Sequence, residues 1–310
     1  MRFYGAQEVA AALDLDALAD AIARMLAANP VAPVRHAHTT RTGADGPDSL
    51  LLMPAWSDTA LGVKLVTVTP RNRAAERATV NAIYVLFDRD SGTPRAVIDG
   101  ESLTLRRTAA TSLLAARYLA RPDARNALVI GTGALAPWMA HAHARARPLT
   151  RLAIWGRRDA GAQSLAQRLR DEGLPAQAVD DLESAVRDAD IVSCATTSTH
   201  PVVHGAWLAE GTHLDLVGGF RRGMREADDA AMARSRIFVD TYAGTLAEAA
   251  DILEPLERGV ITRDAIKAEL AELVAGRPGR RDASDITCFK SVGTAIADLA
   301  AAQLLIERAG

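Results

Sequence analysis

The chain is short of cysteine: two in 310 residues, Cys194 and Cys288, in separate apolar segments and without metal-ligand spacing. So few thiols cannot form a disulfide framework and give no sign of an oxidising compartment, although the sequence leaves a bond between the two open. It also lacks a long apolar run. Charges interrupt every candidate well short of the ~20 residues that a membrane span needs. The opening MRFYGAQEVAAALD has no basic start followed by an apolar stretch, so no signal peptide is expected. Charge of one sign is missing too: the net value is -2, which argues against a nucleic-acid or acidic-membrane partner. Internal repeats and low-complexity linkers are absent. These absences leave a soluble protein, expected in the cytoplasm.

At 49% hydrophobic and 24% charged residues, the composition is that of a globular chain rather than a disordered one. Arginine dominates the bases and alanine the apolar residues, a pattern of GC-rich codon usage, so abundant arginine is not in itself a phosphate-binding signal. The histidines also form no metal site. His36 and His38 stand two apart in a strand or loop, and His141 and His143 stand two apart on a helix, where that spacing does not share a face.

Residues 7–28 place Val9, Leu13, Leu18, Ile22 and Leu26 at helical spacing and predict one amphipathic helix. A looser stretch follows, with Pro30, Pro33 and a turn near 43–47. SLLLMPAW, ALGVKLVTVTP, ATVNAIYVLFD and RAVIDG then read as strands, the last two forming a hairpin across DRDSGTP. Strands without intervening helices indicate an antiparallel or mixed sheet.

After Gly100 the pattern changes. A long helix, SLTLRRTAATSLLAARYLAR, leads into apolar strands alternating with helices: NALVIG, a helix over 134–147, RLAIWG, a helix over 160–173, PAQAV, DLESAVRDA, DIVSCAT, HLDLVGG and RIFVD. Such alternation specifies a parallel, doubly wound sheet. The tail SVGTAIADLAAAQLLIERA is a helix whose stripe of Ile296, Leu299, Leu304 and Leu305 reads as a packed face. The expected fold class is therefore α/β, a Rossmann-type doubly wound parallel sheet plus a mixed α/β domain. Residues 119–294 would form the nucleotide-binding domain, and residues 1–118 with 295–310 the domain for substrate binding and dimerisation.

LVIGTGALA carries Gly131-x-Gly133-x-x-Ala136 directly after a strand and at the opening of a helix. Glycine there permits a tight turn and close approach of backbone N–H groups to a pyrophosphate, which the helix N-terminus favours. Gly131, Gly133, Ala134, Leu135 and Ala136 are thus the candidate cradle. NAD-binding relatives of this unit usually end the second strand in Asp or Glu, for the ribose 2′-hydroxyl. This strand ends Gly156-Arg157-Arg158 instead, which suits a 2′-phosphate and points to NADPH, with NADH possible. Thr196 and Thr197 close the fourth strand, where their hydroxyls would lie near the cofactor.

LTLRRTAATS, IGTGALA, DIVSCATTSTHPVV, HLDLVGGF and DITCFKSVGTAIADLAAA together resemble the ornithine cyclodeaminase/mu-crystallin family, in the same order and spacing and over nearly the whole chain. That resemblance implies a Rossmann domain, a second domain that forms a homodimer, and site residues that can be carried over by position. Arg107 matches the family arginine that binds the substrate carboxylate, and Arg106 beside it is expected on the surface. Lys64 matches the active-site lysine; a lysine inside an apolar strand is rarely buried without a partner. Lys64 and Arg107 are the candidate catalytic residues. Arg35 matches a substrate-pocket arginine, and Thr79 a residue near both nicotinamide and substrate. Ser291 matches a cofactor contact, Val292 and Gly293 line the substrate pocket, and Val217 and Phe220 count with the cofactor contacts.

One departure separates this chain from the cyclodeaminases. They carry Asp directly after the VGG-type strand, where it manages protons during deamination. Here that position is Phe220, and Glu226, Asp228 and Asp229 lie too far along to be assumed equivalent. Phe220, the MRE segment and the ALA loop resemble the Δ1-pyrroline-2-carboxylate reductase branch. The expectation is an NADPH-dependent reductase of a small cyclic imino acid, acting as a homodimer without metal. The alternatives are a cyclodeaminase or amino-acid dehydrogenase of the family, or a non-catalytic NADPH- or small-ligand-binding protein.

Overall fold

A computed structural model of the chain describes residues 1–43, 46–219 and 221–309. It divides into two compact units, one of residues 1–108 with 294–310 and the other of residues 109–293. The sequence places these divisions at 118/119 and 294/295; contacts place the first within a helix, ten residues earlier.

The first unit opens with β1 (Arg2–Tyr4), α1 (Ala6–Ala12) and α2 (Leu15–Ala27), followed by β2 (His36–Arg41), β3 (Asp48–Trp56), β4 (Leu61–Val68), β5 (Val80–Phe87) and β6 (Pro94–Asp99). The sheet order is β1-β6-β5-β4-β3-β2, antiparallel throughout except that β1 runs parallel to β6. The single helix expected over 7–28 is two. Asp14 adopts an extended conformation, and its carboxylate accepts the Ala17 N–H at 2.9 Å, starting a new helix rather than continuing the old one. Beyond it Leu15, Leu18, Ile22, Met25 and Leu26 form the buried stripe of α2. The C-terminal helix (Ala295–Ala309) packs on α2 and lies against β3, β4 and β5.

Alternation gives the sheet an inner and an outer face. In β4, Gly62, Lys64 and Val66 are buried, while Leu61, Val63 and Leu65 are half-buried on the other side. β1 escaped the sequence reading, which left the segment of β2 as a strand or a loop. Every residue of β2 is exposed, so HAHTTR carries no apolar alternation, and β1 has three residues.

α3 (Gly100–Leu119) passes from the first unit into the second. There follow β7 (Asn126–Ile130), α4 (Ala136–Ala146), β8 (Arg151–Trp155), α5 (Asp159–Asp171), β9 (Ala176–Ala178), α6 (Leu182–Arg187), β10 (Ile191–Cys194) and β11 (His213–Leu216). α7 (Asp229–Arg234), β12 (Arg236–Val239), α8 (Tyr242–Glu248), α9 (Ala250–Glu257), β13 (Ile266–Glu269), α10 (Leu270–Val274) and β14 (Thr287–Lys290) complete the unit. All eight strands are parallel, in the order β13-β12-β14-β11-β10-β7-β8-β9. This is the doubly wound α/β sheet expected from the strand–helix alternation. Its order reverses between β7 and β10, and in such sheets ligands bind outside the carboxyl ends of the strands at that reversal. Cys194 and Cys288 are buried free thiols. Among the described residues, no helix is long and apolar enough to cross a membrane.

Candidate active site

Lys64 points inward from β4 because its neighbours Val63 and Leu65 point outward. Its ammonium meets Asp298, in the first turn of the C-terminal helix, at 3.0 Å from Oδ1 and 2.9 Å from Oδ2; the Thr104 hydroxyl stands 3.4 Å away. Arg107, one turn after Thr104 on α3, donates its Nε–H to the same Oδ1 at 2.8 Å. Lys64 and Asp298 are almost wholly shielded from water, and Arg107 nearly so. Withdrawing each such ion from water costs several kcal/mol, and apolar residues of similar volume usually hold a fold as well or better. A buried group of two bases on one carboxylate is therefore a poor device for stability and a good marker of a site.

Burial, reinforced by the Arg107 and Arg35 charges, lowers the Lys64 ammonium to about 8 despite the opposing pull of Asp298. Burial alone would raise the Asp298 carboxyl, but the Arg107 and Lys64 charges outweigh it and hold that carboxyl below its ordinary range. Asp298 is thus ionised while Lys64 still carries its proton, which it gives up at about pH 8. Three groups with a formal sum of one positive charge suit an anionic ligand, and a lysine titrating near neutrality suits proton donation to it. Tyr84 pairs with Lys64 across β4 and β5, so both project from the inner face. Burial, then the Asp298 charge, keep its phenol protonated well above the ordinary range. Gly62 leaves room for this ring, since a Cβ there would fall 2.2 Å from the Tyr84 hydroxyl.

Arg35 is half-buried just before β2, and Thr79 is half-buried just before β5, its carbonyl accepting the Thr69 N–H at 2.7 Å. Arg106 corrects an expectation: it is buried, with one guanidinium N–H donated to the Ser102 hydroxyl at 2.6 Å. Residues 106–116 of α3 are all buried, so two consecutive arginines are both covered.

In the second unit Gly131 leaves β7 at φ 124°, a conformation that strains any residue with a Cβ, and such a Cβ would lie 2.5 Å from the Ala195 carbonyl. Gly133 and Ala134 are exposed, Leu135 is half-buried, and Ala136 is the buried first residue of α4. Thr132 packs toward Gly156 and Gly161, which ties the loop to the end of β8. Arg157 and Arg158 are exposed there and, among the described residues, pair with no acid. Thr196 is half-buried and Thr197 exposed after β10, and Val217 is buried after β11. The two glycine turns, the helix N-terminus and the strand ends thus gather at the reversal of the sheet, with backbone N–H groups and two guanidinium groups able to receive a dinucleotide.

A family model, that of the ornithine cyclodeaminase/mu-crystallin family, matches residues 2–310. The chain belongs to that family. Among its relatives, Protein SAR DEFICIENT 4 of Arabidopsis thaliana is 42% identical over 89% of this chain and 86% of its own. A Delta(1)-pyrroline-2-carboxylate reductase of Paracoccus denitrificans is 39% identical over 90% of this chain and 92% of its own. Among solved structures, the Thermococcus litoralis Delta(1)-pyrroline-2-carboxylate reductase in complex with NADH and L-proline superimposes with a TM-score of 0.94 at 32% identity, covering 100% of this chain and 97% of that one.

Ser291, which the family resemblance gives to the cofactor, donates its hydroxyl to Asp240 Oδ2 at 3.0 Å. The same oxygen accepts the N–H groups of Val292 and Gly293, at 2.9 and 2.8 Å. Asp240 thus shapes the turn after β14. Phe220 lies outside the described residues. Of the histidines, His143 is fully buried with Nε2 3.0 Å from Asp215, part of an internal polar network. Among the described residues no three His, Cys, Asp or Glu side chains could hold a metal ion.

Sequence reasoning passed over Asp298, hidden in the apolar stripe of the last helix. A lone acid among alanines and leucines was the available signal, since such a residue is seldom buried without a basic partner.

Proposed function

We propose that this family member is an NADPH-dependent reductase of cyclic imino acids, taking Δ1-pyrroline-2-carboxylate to L-proline and Δ1-piperideine-2-carboxylate to L-pipecolate. The observation that carries this reading is the buried group of Lys64, Arg107 and Asp298. Bound NADPH supplies the hydride for the imine carbon. Gly131, Gly133, Ala134, Leu135 and Ala136 would hold its pyrophosphate and Gly156, Arg157 and Arg158 its 2′-phosphate, with Thr196, Thr197 and Val217 toward the nicotinamide. Arg107, assisted by Arg35, binds the substrate carboxylate through charge-assisted hydrogen bonds. Lys64, with a proton held near pH 8, protonates the imine nitrogen as C=N becomes CH–NH. Asp298 keeps both bases in place. Thr79, Val292 and Gly293 would border the substrate. The relatives named for this reaction support the assignment, as does the NADH and L-proline held by the Thermococcus litoralis enzyme.

The test is NADPH or NADH oxidation at 340 nm with either imino acid. Oxidation faster with NADPH is expected, and Lys64→Met should abolish most turnover, whereas Arg107→Ala should mainly prevent productive binding. Oxidation of neither cofactor by protein that binds nucleotide would overturn the assignment, and near-normal kinetics in both variants would overturn the roles.

A homodimer is part of this proposal. On the outer face of the first unit's sheet, Leu52 and Pro54 of β3, Val63 and Leu65 of β4, and Ile83 and Val85 of β5 form one apolar surface, with Ile83 41% exposed. Surfaces of this kind mark interaction sites, and a second copy would cover it. The two free thiols are compatible with a cytoplasmic setting.

A further inference from the structure

We propose that Glu226 is a positioning residue for the nicotinamide cofactor, whose buried carboxylate holds the loops after β10 and β11 in the form that receives it. The inference rests on the cofactor reading above. Glu226 is fully buried, and its carboxylate accepts four hydrogen bonds. Oε1 takes the Thr196 N–H at 2.7 Å and the Thr196 hydroxyl at 2.9 Å; Oε2 takes the N–H groups of Gly218 and Gly219 at 2.8 and 3.2 Å. One side chain thus ties two loops that flank the carboxyl end of the sheet. They meet closely, because a Cβ on Gly218 would lie 2.0 Å from the Thr196 carbonyl and 2.3 Å from Glu226 Oε1.

The clamp is itself anchored. Asp251 on α9 accepts the N–H groups of Glu226 and Ala227 through Oδ1, at 2.8 and 3.1 Å, while its Oδ2 lies 2.9 Å from the buried ammonium of Lys290 on β14. The Glu226 carbonyl accepts the N–H groups of Val202 and Val203, both at 2.9 Å.

Only an ionised carboxylate offers four acceptor sites to four donors. A neutral acid or an amide turns an O–H or N–H against one of them. Burial, with the Asp251 charge adding to it, raises the Glu226 carboxyl to about 7, against the opposing effects of Lys290 and the Thr196 donors. The facing groups are Asp251 from α9, Lys290 and, from β10, the Cys194 thiol; β11 contributes backbone N–H. Burial, followed by the Glu226 and Asp251 charges, keeps that thiol protonated. Proton uptake near neutrality would therefore loosen the clamp.

The experiment is a fluorescence titration with NADH, which has no 2′-phosphate to titrate in this range, from pH 6 to 9. For the intact protein the Kd is expected to rise about tenfold from pH 8 to pH 6, one proton being excluded from the bound state. Glu226→Gln should bind NADH about tenfold more weakly at pH 8, the loss of one charge-assisted contact, and show no pH slope. Should that variant fail to fold, Thr196→Val serves instead. It removes one donor from the ionised form and should move the midpoint to higher pH. A wild-type slope in Glu226→Gln, an unmoved midpoint in Thr196→Val, or a flat profile for the intact protein overturns the clamp and leaves the cofactor reading intact. Failure of the folded protein to bind NADH or NADPH at pH 8 overturns both.

Discussion

Asp298→Asn separates a lysine acid from a substrate that arrives already protonated. In the intact protein Lys64 titrates at about 8 with Asp298 2.9 Å away. Removing an opposite charge at that distance lowers a buried ammonium by roughly 1–3 units. With a fall of about 2 units, the protonated fraction at pH 7.5 drops from roughly three quarters to roughly 3%. If Lys64 donates the proton, kcat/KM for Δ1-pyrroline-2-carboxylate falls ~25-fold at pH 7.5 but less than ~2-fold at pH 5.5, and the alkaline limb moves from near 8 to near 6. Looser placement of Lys64 and Arg107 adds a further loss, equal at every pH, which leaves the midpoint alone. The assay is initial-rate NADPH oxidation at 340 nm from pH 5.5 to 9.5, with circular dichroism to confirm the fold, since breaking a buried pair costs about 3–5 kcal/mol. An alkaline limb that stays near 8 in Asp298→Asn would refute the reasoning. That limb would belong to the imine, and Lys64 would serve only to bind.

Replacing Arg157 and Arg158 together by alanine should raise the NADPH KM roughly 10- to 100-fold, the worth of one lost hydrogen bond to a charged group, and leave the NADH KM unchanged; equal changes for both cofactors would remove the 2′-phosphate assignment. Gly131→Ala places a Cβ 2.5 Å from a carbonyl at φ 124°. It should cost on the order of 1–3 kcal/mol in a urea titration and suppress nucleotide binding, whereas wild-type affinity would show that the turn does not serve the cofactor. Ile83→Asp puts a charge on the outer face of β5 and should give a monomer in sedimentation equilibrium; a dimer undisturbed by it would place the interface elsewhere.

The elements legible in the sequence are those whose burial is simple. Strands β7, β8, β10 and β11 are covered on both faces and read as short apolar runs, while β4 and β5 alternate because one face is turned outward. The break at Leu13–Asp14 was hidden because the apolar spacing on either side of it is nearly in phase. A capping carboxylate looks, in sequence, like any polar residue on a helix. β2 could not be told from a loop for the opposite reason: an edge strand with every side chain in water has no reason to alternate.

The site divides along the same line. Residues that would touch ligand, such as Lys64, Arg107 and the Gly131 turn, carry shape or charge that a local motif displays. Those that hold them do not. Asp298 lies 234 residues from Lys64, and Glu226 closes on Thr196 from 30 residues away. Neither pairing has a local spacing, and each acid takes its meaning from a base or an N–H that only the fold brings near. Yet both are fully buried, where an uncompensated carboxylate would cost several kcal/mol. Each therefore marks something charged or strongly donating beside it. The single departure from the cyclodeaminase pattern fits this view. With Phe220 in place of the acid, the carboxylate that reaches the loop after β11 from the MRE segment is, among the described residues, Glu226, and its four acceptor positions are occupied by the loops themselves. A carboxylate so engaged has no lone pair to offer a substrate amine. Under the proposed reaction the proton chemistry falls to the first unit, where burial brings the Lys64 ammonium down to about 8.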